Sequence, residues 1–158
     1  IQVLNRGNNL TILTWSYSTI EIMKLYKILN YNKISFDHID ILSLKPINIK
    51  KIYNSVKKTK RLLILDNTSH KFVSLGGDII SQLILKDKNI FKTEPVNLSL
   101  PDIPSPTSYY LSKNFYNSSS VILKKVEKIL NRKLKNKNLS EGKLIHHDVP
   151  DINFSGPF

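Results

Sequence analysis

A chain of 158 residues, 41% hydrophobic and 23% charged, has the size and make-up of one globular domain with a sizeable core. It has no cysteine, which excludes disulfides and thiolate chemistry, and no apolar run near the ~20 residues of a membrane helix, so no membrane partner is expected. The formal net charge of +12 is carried almost wholly by lysine, with arginine only at Arg6, Arg61 and Arg132, so it reads as solvated surface charge and no nucleic-acid partner is expected.

In chain order, Ile1–Arg6 has neither an initiator methionine nor the basic-then-apolar layout of a signal peptide, and reads as the start of a fragment. Leu10–Ser16 is mostly β-branched or aromatic and short, the pattern of a buried strand. A helix follows, capped by Ser18 or Thr19, with Ile22, Leu25, Tyr26 and Leu29 on one apolar stripe. Asn30–Asn32 supplies a turn before a strand over Ile34–Ile41, and Pro46 marks the turn after it. Asn48 caps a second helix with its stripe at Ile49, Ile52, Tyr53 and Val56. Leu62–Leu65 is continuously apolar, as a central parallel strand should be.

The stretch Ile34–Asp66 therefore forms one βαβ crossover. Asn67–Ser74 reads as a polar loop, Gly76-Gly77 as a tight turn, and Ile79, Ile80, Leu83 and Ile84 as the next helical stripe. Val96–Leu100 is the last expected strand. Pro101–Pro106 crosses the surface in extended form, Tyr109–Tyr116 holds a short helix, and a closing helix follows Ser118–Ser120 with its stripe at Ile122, Val126, Ile129 and Leu130. Past Leu134 the periodicity lapses. The expected architecture is a three-layer α/β/α sandwich with a mostly parallel sheet of about five strands and one antiparallel edge strand, over 1–134, followed by an irregular tail, 135–158, docked through Ile152, Phe154 and Phe158.

Candidate chemistry is sparse. Asp66 ends a buried strand, where ligands of open α/β sheets gather, and the alternative is an acid that caps nearby amides. His70, in the following loop, is the histidine placed to face a crevice. Gly76-Gly77 could let an anion approach free N–H groups, but it belongs to no GxGxxG or P-loop, and tight packing accounts for it equally. His38, beside Asp37 and Asp40 in a strand, reads as a surface or subunit contact. His146-His147-Asp148 lacks metal-ligand spacing, and the chain contains no GxSxG or HExxH. No residue earns a catalytic role. A stand-alone small-molecule or anion-binding module built on Asp66, Asn67, His70, Gly76 and Gly77 is the alternative reading.

Four blocks in order carry a resemblance. Arg6–Trp15 parallels R-x-G-x-D-V-T-I-V-T-Y, and Ile39–Asn48 parallels I-D-L-R-T-L-x-P-x-D. Ser55–Asp66 parallels S-V-x-K-T-G-R-L-x-V-V-D-E, and Pro95-Val96 followed by Asp102–Pro106 parallels P-V…D-x-P-x-P. Together they resemble the C-terminal domain of transketolase-like thiamine-diphosphate enzymes, above all the beta subunit of pyruvate and branched-chain 2-oxo acid dehydrogenases. The chain departs from that pattern at Leu42, Asn48, Asn67 and Asn97-Leu98.

The resemblance implies a domain without a catalytic site of its own, within an oxidoreductase or transferase. Thiamine diphosphate and magnesium would belong to the parent enzyme and not to this domain alone. It implies dimerisation and subunit assembly, with an upstream pyrimidine-binding domain of the same chain and an alpha subunit or a second copy as partners, in a homodimer or heterotetramer. The interface is expected from Pro101–Tyr116, including Asp102 and Pro104, and from the tail. The expected compartment is the cytoplasm or an organellar matrix.

Overall fold

The computed structural model describes residues 1–70, 74–112 and 115–136. The first element is β1 (Gln2–Asn5), the expected antiparallel edge strand, whose position the sequence pattern does not mark, followed by β2 (Leu10–Thr14). Then come α1 (Tyr17–Lys24), α2 (Tyr26–Tyr31), β3 (Phe36–Asp40), α3 (Ile49–Thr59) and β4 (Leu62–His70). The chain continues through α4 (Leu75–Lys86), β5 (Val96–Leu100), the single turn α5 (Tyr109–Ser112) and α6 (Ser119–Leu130). Of the tail, 137–158, with His146, His147, Asp148, Ile152, Phe154 and Phe158, lies outside the described residues.

The five strands form one sheet in the order β1-β3-β2-β4-β5. β3, β2, β4 and β5 are parallel, and β1 is the antiparallel edge against β3. This is the expected three-layer α/β/α sandwich. Alternation along the strands splits the core in two. Leu10, Ile12, Phe36, Leu63 and Leu65 face Ile22, Leu25 and Leu29 of α1–α2 and Ile122, Leu123, Val126 and Ile129 of α6. Leu13, Ile39, Leu62 and Ile64 face the other way, onto Ile52 and Val56 of α3 and Ile79 and Leu83 of α4.

The helix expected over the first stripe is two helices. Leu25 N–H bonds Ile22 O at 3.0 Å, three residues back, which tightens the backbone and ends α1. Ser18 and Thr19 do not cap it; both are buried within α1, whose N-cap is Ser16. Asn48 does cap α3, accepting from Lys51 N–H at 3.1 Å. Lys60 closes that helix in the left-handed region at φ 59°. In α4 the stripe is narrower than expected: Ile84 is solvent-exposed.

Gly7 is the tightest backbone contact of the fold. A β-carbon there would stand 2.0 Å from Phe36 N and 2.3 Å from Ser35 C, so the β1–β2 connection touches the start of β3 with no room for a side chain.

Candidate functional site

In an open parallel sheet the ligand crevice lies at the carboxyl ends of the two strands whose connections leave in opposite directions. Here these are β2, whose connection runs to β3, and β4, whose connection runs to β5. The groups at that point are Trp15, Ser16, Asp66 and Thr68.

β4 does not stop at Asp66. It runs on to His70, with a shift in register against β5 between Leu65 and His70, so of the expected polar loop over Asn67–Ser74 the residues Asn67–His70 are strand, while 71–73 lie outside the described residues. The sequence reading ended the strand too early because its apolar run ends, whereas pairing with β5 continues past the irregularity. Asp66 is fully buried, and its Oδ1 accepts from Thr68 N–H at 3.0 Å and Thr68 Oγ1–H at 2.8 Å. Trp15 Nε1–H donates in turn to Thr68 Oγ1 at 3.0 Å. Indole, hydroxyl and carboxylate thus tie the two strands together across the crevice. Neither Trp15 nor Thr68 was singled out from sequence, since the two lie 53 residues apart.

The other sequence candidates are scattered. His70, at the end of β4 and not in a loop, is joined through Nδ1 to Pro101 O at 2.8 Å, so Nδ1 carries the hydrogen. Gly76 and Gly77 lie inside the first turn of α4, not before it. The N-cap Ser74 Oγ already accepts from Gly77 N–H at 3.1 Å, and a β-carbon on Gly76 would meet Asn97 Oδ1 at 2.4 Å, so this is close helix–sheet packing. Asn67 accepts at Oδ1 from Asn117 Nδ2 at 3.1 Å. Asp102 and Pro104 are exposed beyond β5. These residues do not fit a diphosphate: Gly77 N–H and His70 Nδ1–H are spent on the protein's own oxygens, and the space by Gly76 is filled by Asn97. No group of three acidic, histidine or cysteine side chains that could hold a metal ion occurs among the described residues.

Two buried polar networks flank β2, one on each face. On the α1–α2 face, His38 is fully buried, contrary to the expectation of a surface or subunit contact. It lies in register beside Ile12 of β2, and its alternation in β3 turns it inward with Phe36. Thr19 Oγ1 donates to Asp40 Oδ1 at 2.9 Å, so Thr14 must donate to Thr19, also at 2.9 Å. Thr14 Oγ1 has then spent its hydrogen and accepts from His38 Nε2–H at 2.8 Å. That leaves His38 Nδ1 as acceptor of the Tyr26 hydroxyl at 2.6 Å. The hydrogen positions follow from the donor inventory alone and make His38 the neutral Nε2–H tautomer. Burial pushes its pKa down to about 4 and pushes that of Tyr26 up to about 12.

On the α3 face, the buried Asp37 carboxylate accepts from Gly7 N–H at 2.8 Å, from Ser55 Oγ, and from Lys58 Nζ at 2.8 Å. Burial raises the Asp37 pKa, but the bonds from Lys58, Ser55 and Gly7 outweigh it and hold the carboxyl below its usual range. Thr11 Oγ1 extends this network to Ser55 and Thr59 at 2.8 Å each. Both networks satisfy groups within the domain.

Ser16 is the backbone outlier of this edge. It is exposed, with φ 56° and ψ −139°, a conformation close to glycine-only. The cost is of order 1–3 kcal/mol, so Ser16→Gly is expected to stabilise the fold by about 1 kcal/mol once the extra chain entropy of glycine is subtracted. Urea unfolding of the variant checks this; an unchanged or lower midpoint would show that the strain is absent.

The strand order and the crossovers define an α/β domain of the transketolase C-terminal type. The chain belongs to that family: the family model described as "Transketolase, C-terminal domain" matches residues 1–120. Among curated proteins it is similar to pyruvate dehydrogenase E1 component subunit beta. It is 31% identical to that of Mesostigma viride over 138 residues, covering 84% of this chain and 40% of the relative. It is 30% identical to that of Porphyra purpurea, covering 82% and 39%, and 29% identical to that of Rickettsia felis, covering 81% and 39%. The chain thus spans about 40% of the length of these relatives. A solved "Split gene transketolase, inactive beta4 tetramer" matches the fold with a TM-score of 0.68 at 20% identity, covering 84% of this chain and 42% of that one.

Proposed function

We propose that the chain is a non-catalytic assembly domain of a thiamine-diphosphate-dependent 2-oxo acid dehydrogenase or transketolase-like enzyme, serving self-association and subunit contact. The observation that carries this is the apolar surface on the segment after β5. Ile103 is 54% exposed, Tyr110 83% and Leu111 61%. Apolar groups gathered on one exposed segment mark a contact site. Family membership and the tetrameric state printed for the structural neighbour support the same reading. Thiamine diphosphate and magnesium belong, in this reading, to the rest of the parent enzyme.

The expected result is a dimer or larger species in sedimentation-velocity ultracentrifugation. Tyr110→Glu with Leu111→Glu should return the chain to monomer without lowering its unfolding temperature, because both side chains are solvent-exposed. A wild-type chain that stays monomeric at high concentration would refute self-association. A rise in unfolding temperature with thiamine diphosphate and magnesium would show a ligand site in this domain and overturn the non-catalytic reading.

A further inference from the structure

We infer that the edge of the sheet where the parallel strands begin is a docking surface for an acidic protein segment. The topology brings α2, α3, α4 and α6 to their ends at this edge, and backbone contacts knit those ends together. Lys92 N–H bonds Lys60 O at 2.8 Å, and Asn32, just after α2, holds the backbone of Lys135, beyond α6, at 2.8 and 3.0 Å. The connections so joined carry Lys33, Lys60, Arg61, Lys88, Lys92, Arg132, Lys133 and Lys135. Lys60 and Arg61 are half-buried and the other six are exposed.

The acids at this edge, among the described residues, contact groups of the domain itself, one of them buried and the others half-buried or exposed. Asp37 is buried against Lys58, and Glu94 pairs with Lys128 at 3.3 Å. Asp87 accepts from Asn89 N–H at 3.0 Å, and Glu127 accepts from Leu134 N–H at 2.6 Å. The remaining described acids, Glu21, Asp40, Asp66, Asp78 and Asp102, belong to the half of the domain nearer the strands' carboxyl ends. Basic side chains thus outnumber acids at this edge, a placement that composition alone does not give. Helix dipoles account for the lysines in the last turns of α3, α4 and α6. They do not account for Arg61, Lys92, Lys133 and Lys135, which lie in the loops beyond.

A concentrated positive edge attracts an anionic partner and speeds its encounter. Lysine ammonium groups suit mobile carboxylates. A nucleic acid would instead call for successive exposed aromatics on which bases stack, whereas Tyr31 is the one largely exposed aromatic among the described residues of this edge. The partner chemistry that fits is a segment rich in aspartate and glutamate. This inference is independent of the self-association proposed above, which uses the opposite edge.

The test is fluorescence anisotropy of the full chain with a labelled oligoglutamate peptide at low salt. Lys92→Glu, Lys133→Glu and Lys135→Glu together should weaken binding at least ~tenfold, whereas Lys45→Glu, Lys50→Glu and Lys51→Glu, an equal charge change toward the other edge, should leave it within about twofold. Circular dichroism melts of both triple variants confirm that they fold, as the substituted side chains are all exposed. Equal losses in the two variants would reduce the effect to net charge and overturn the assignment. So would single-stranded DNA of matching charge binding more tightly than the peptide and losing affinity only in the first variant.

Discussion

Gly7→Ala should cost the fold at least ~3 kcal/mol, the largest effect expected of any methyl-sized change in this chain. The added carbon would sit 2.0 Å from Phe36 N and 2.6 Å from Phe36 Cα, and backbone atoms inside a sheet cannot step aside as a side chain can. Relief requires the segment between β1 and β2 to lift away from β3. That movement would pull Gly7 N–H off the buried Asp37 carboxylate and loosen Asn9 N–H from Ser35 O, now at 2.7 Å. A buried carboxylate that loses a donor is penalised further. Urea denaturation read by far-ultraviolet circular dichroism measures the change. A loss below about 1 kcal/mol would mean that the connection shifts freely and that the close approach is not a constraint. Gly77→Ala is the natural control: its new carbon would meet only the Ser74 hydroxyl at 3.3 Å, in a helical position, and should alter stability by no more than ~1 kcal/mol.

Acid should unfold the domain through His38. The folded chain holds this imidazole neutral with a pKa of about 4, whereas the unfolded chain titrates near the ordinary value of 6.5. Below that ordinary value the unfolded state takes up a proton that the folded state refuses. Stability is therefore fully present above pH 6.5, falls as the pH drops, and has lost about 3 kcal/mol by pH 4. Protonating Nδ1 in place would also turn the Tyr26 hydroxyl from donor into acceptor, disturbing a relay that ends at Asp40. Tyr26 works in the opposite direction: with its pKa raised to about 12, it withdraws stability as the pH climbs above its ordinary value of 10.0. Asp37 acts in a lower window, because its depressed carboxyl loses its contribution only as the pH falls below 3.8. The decisive measurement is the urea midpoint of the wild type and of His38→Gln between pH 7 and 4. The variant should start less stable and show a much flatter profile in that window. Parallel profiles would remove His38 as the acid-sensitive group, and nitrogen NMR finding Nδ1–H would break the proton assignment along the relay.

Much of the architecture is legible because local chemistry and burial agree there. Leu62–Leu65 is apolar without a break, and its four residues prove buried on both faces of the sheet. Asn48 and the stripe at Ile52 and Val56 give α3 its start and its inward face. Val96–Leu100 is found at its expected bounds. The readings that moved are those where a polar residue goes inside. His38 and Asp37 look like a surface pair, yet β3 is covered on both faces, so alternation sends one to Tyr26 and the other to Lys58. Asp66 looks like the end of a strand, yet β4 continues to His70 because β5 pairs with it there.

The amino-acid order carried the periodicities, the βαβ crossover and the four motif blocks, and these suffice for the fold class and the family, since each depends on residues within a turn or a strand of one another. What waited on the folded chain were meetings across long separations. Trp15 with Thr68, Tyr26 with His38, Gly7 with Phe36, and the joined loops that gather positive charge at one edge depend on strand order and register. Strand order and register follow from how two apolar layers close over one sheet, and that closure is a property of the whole packed domain.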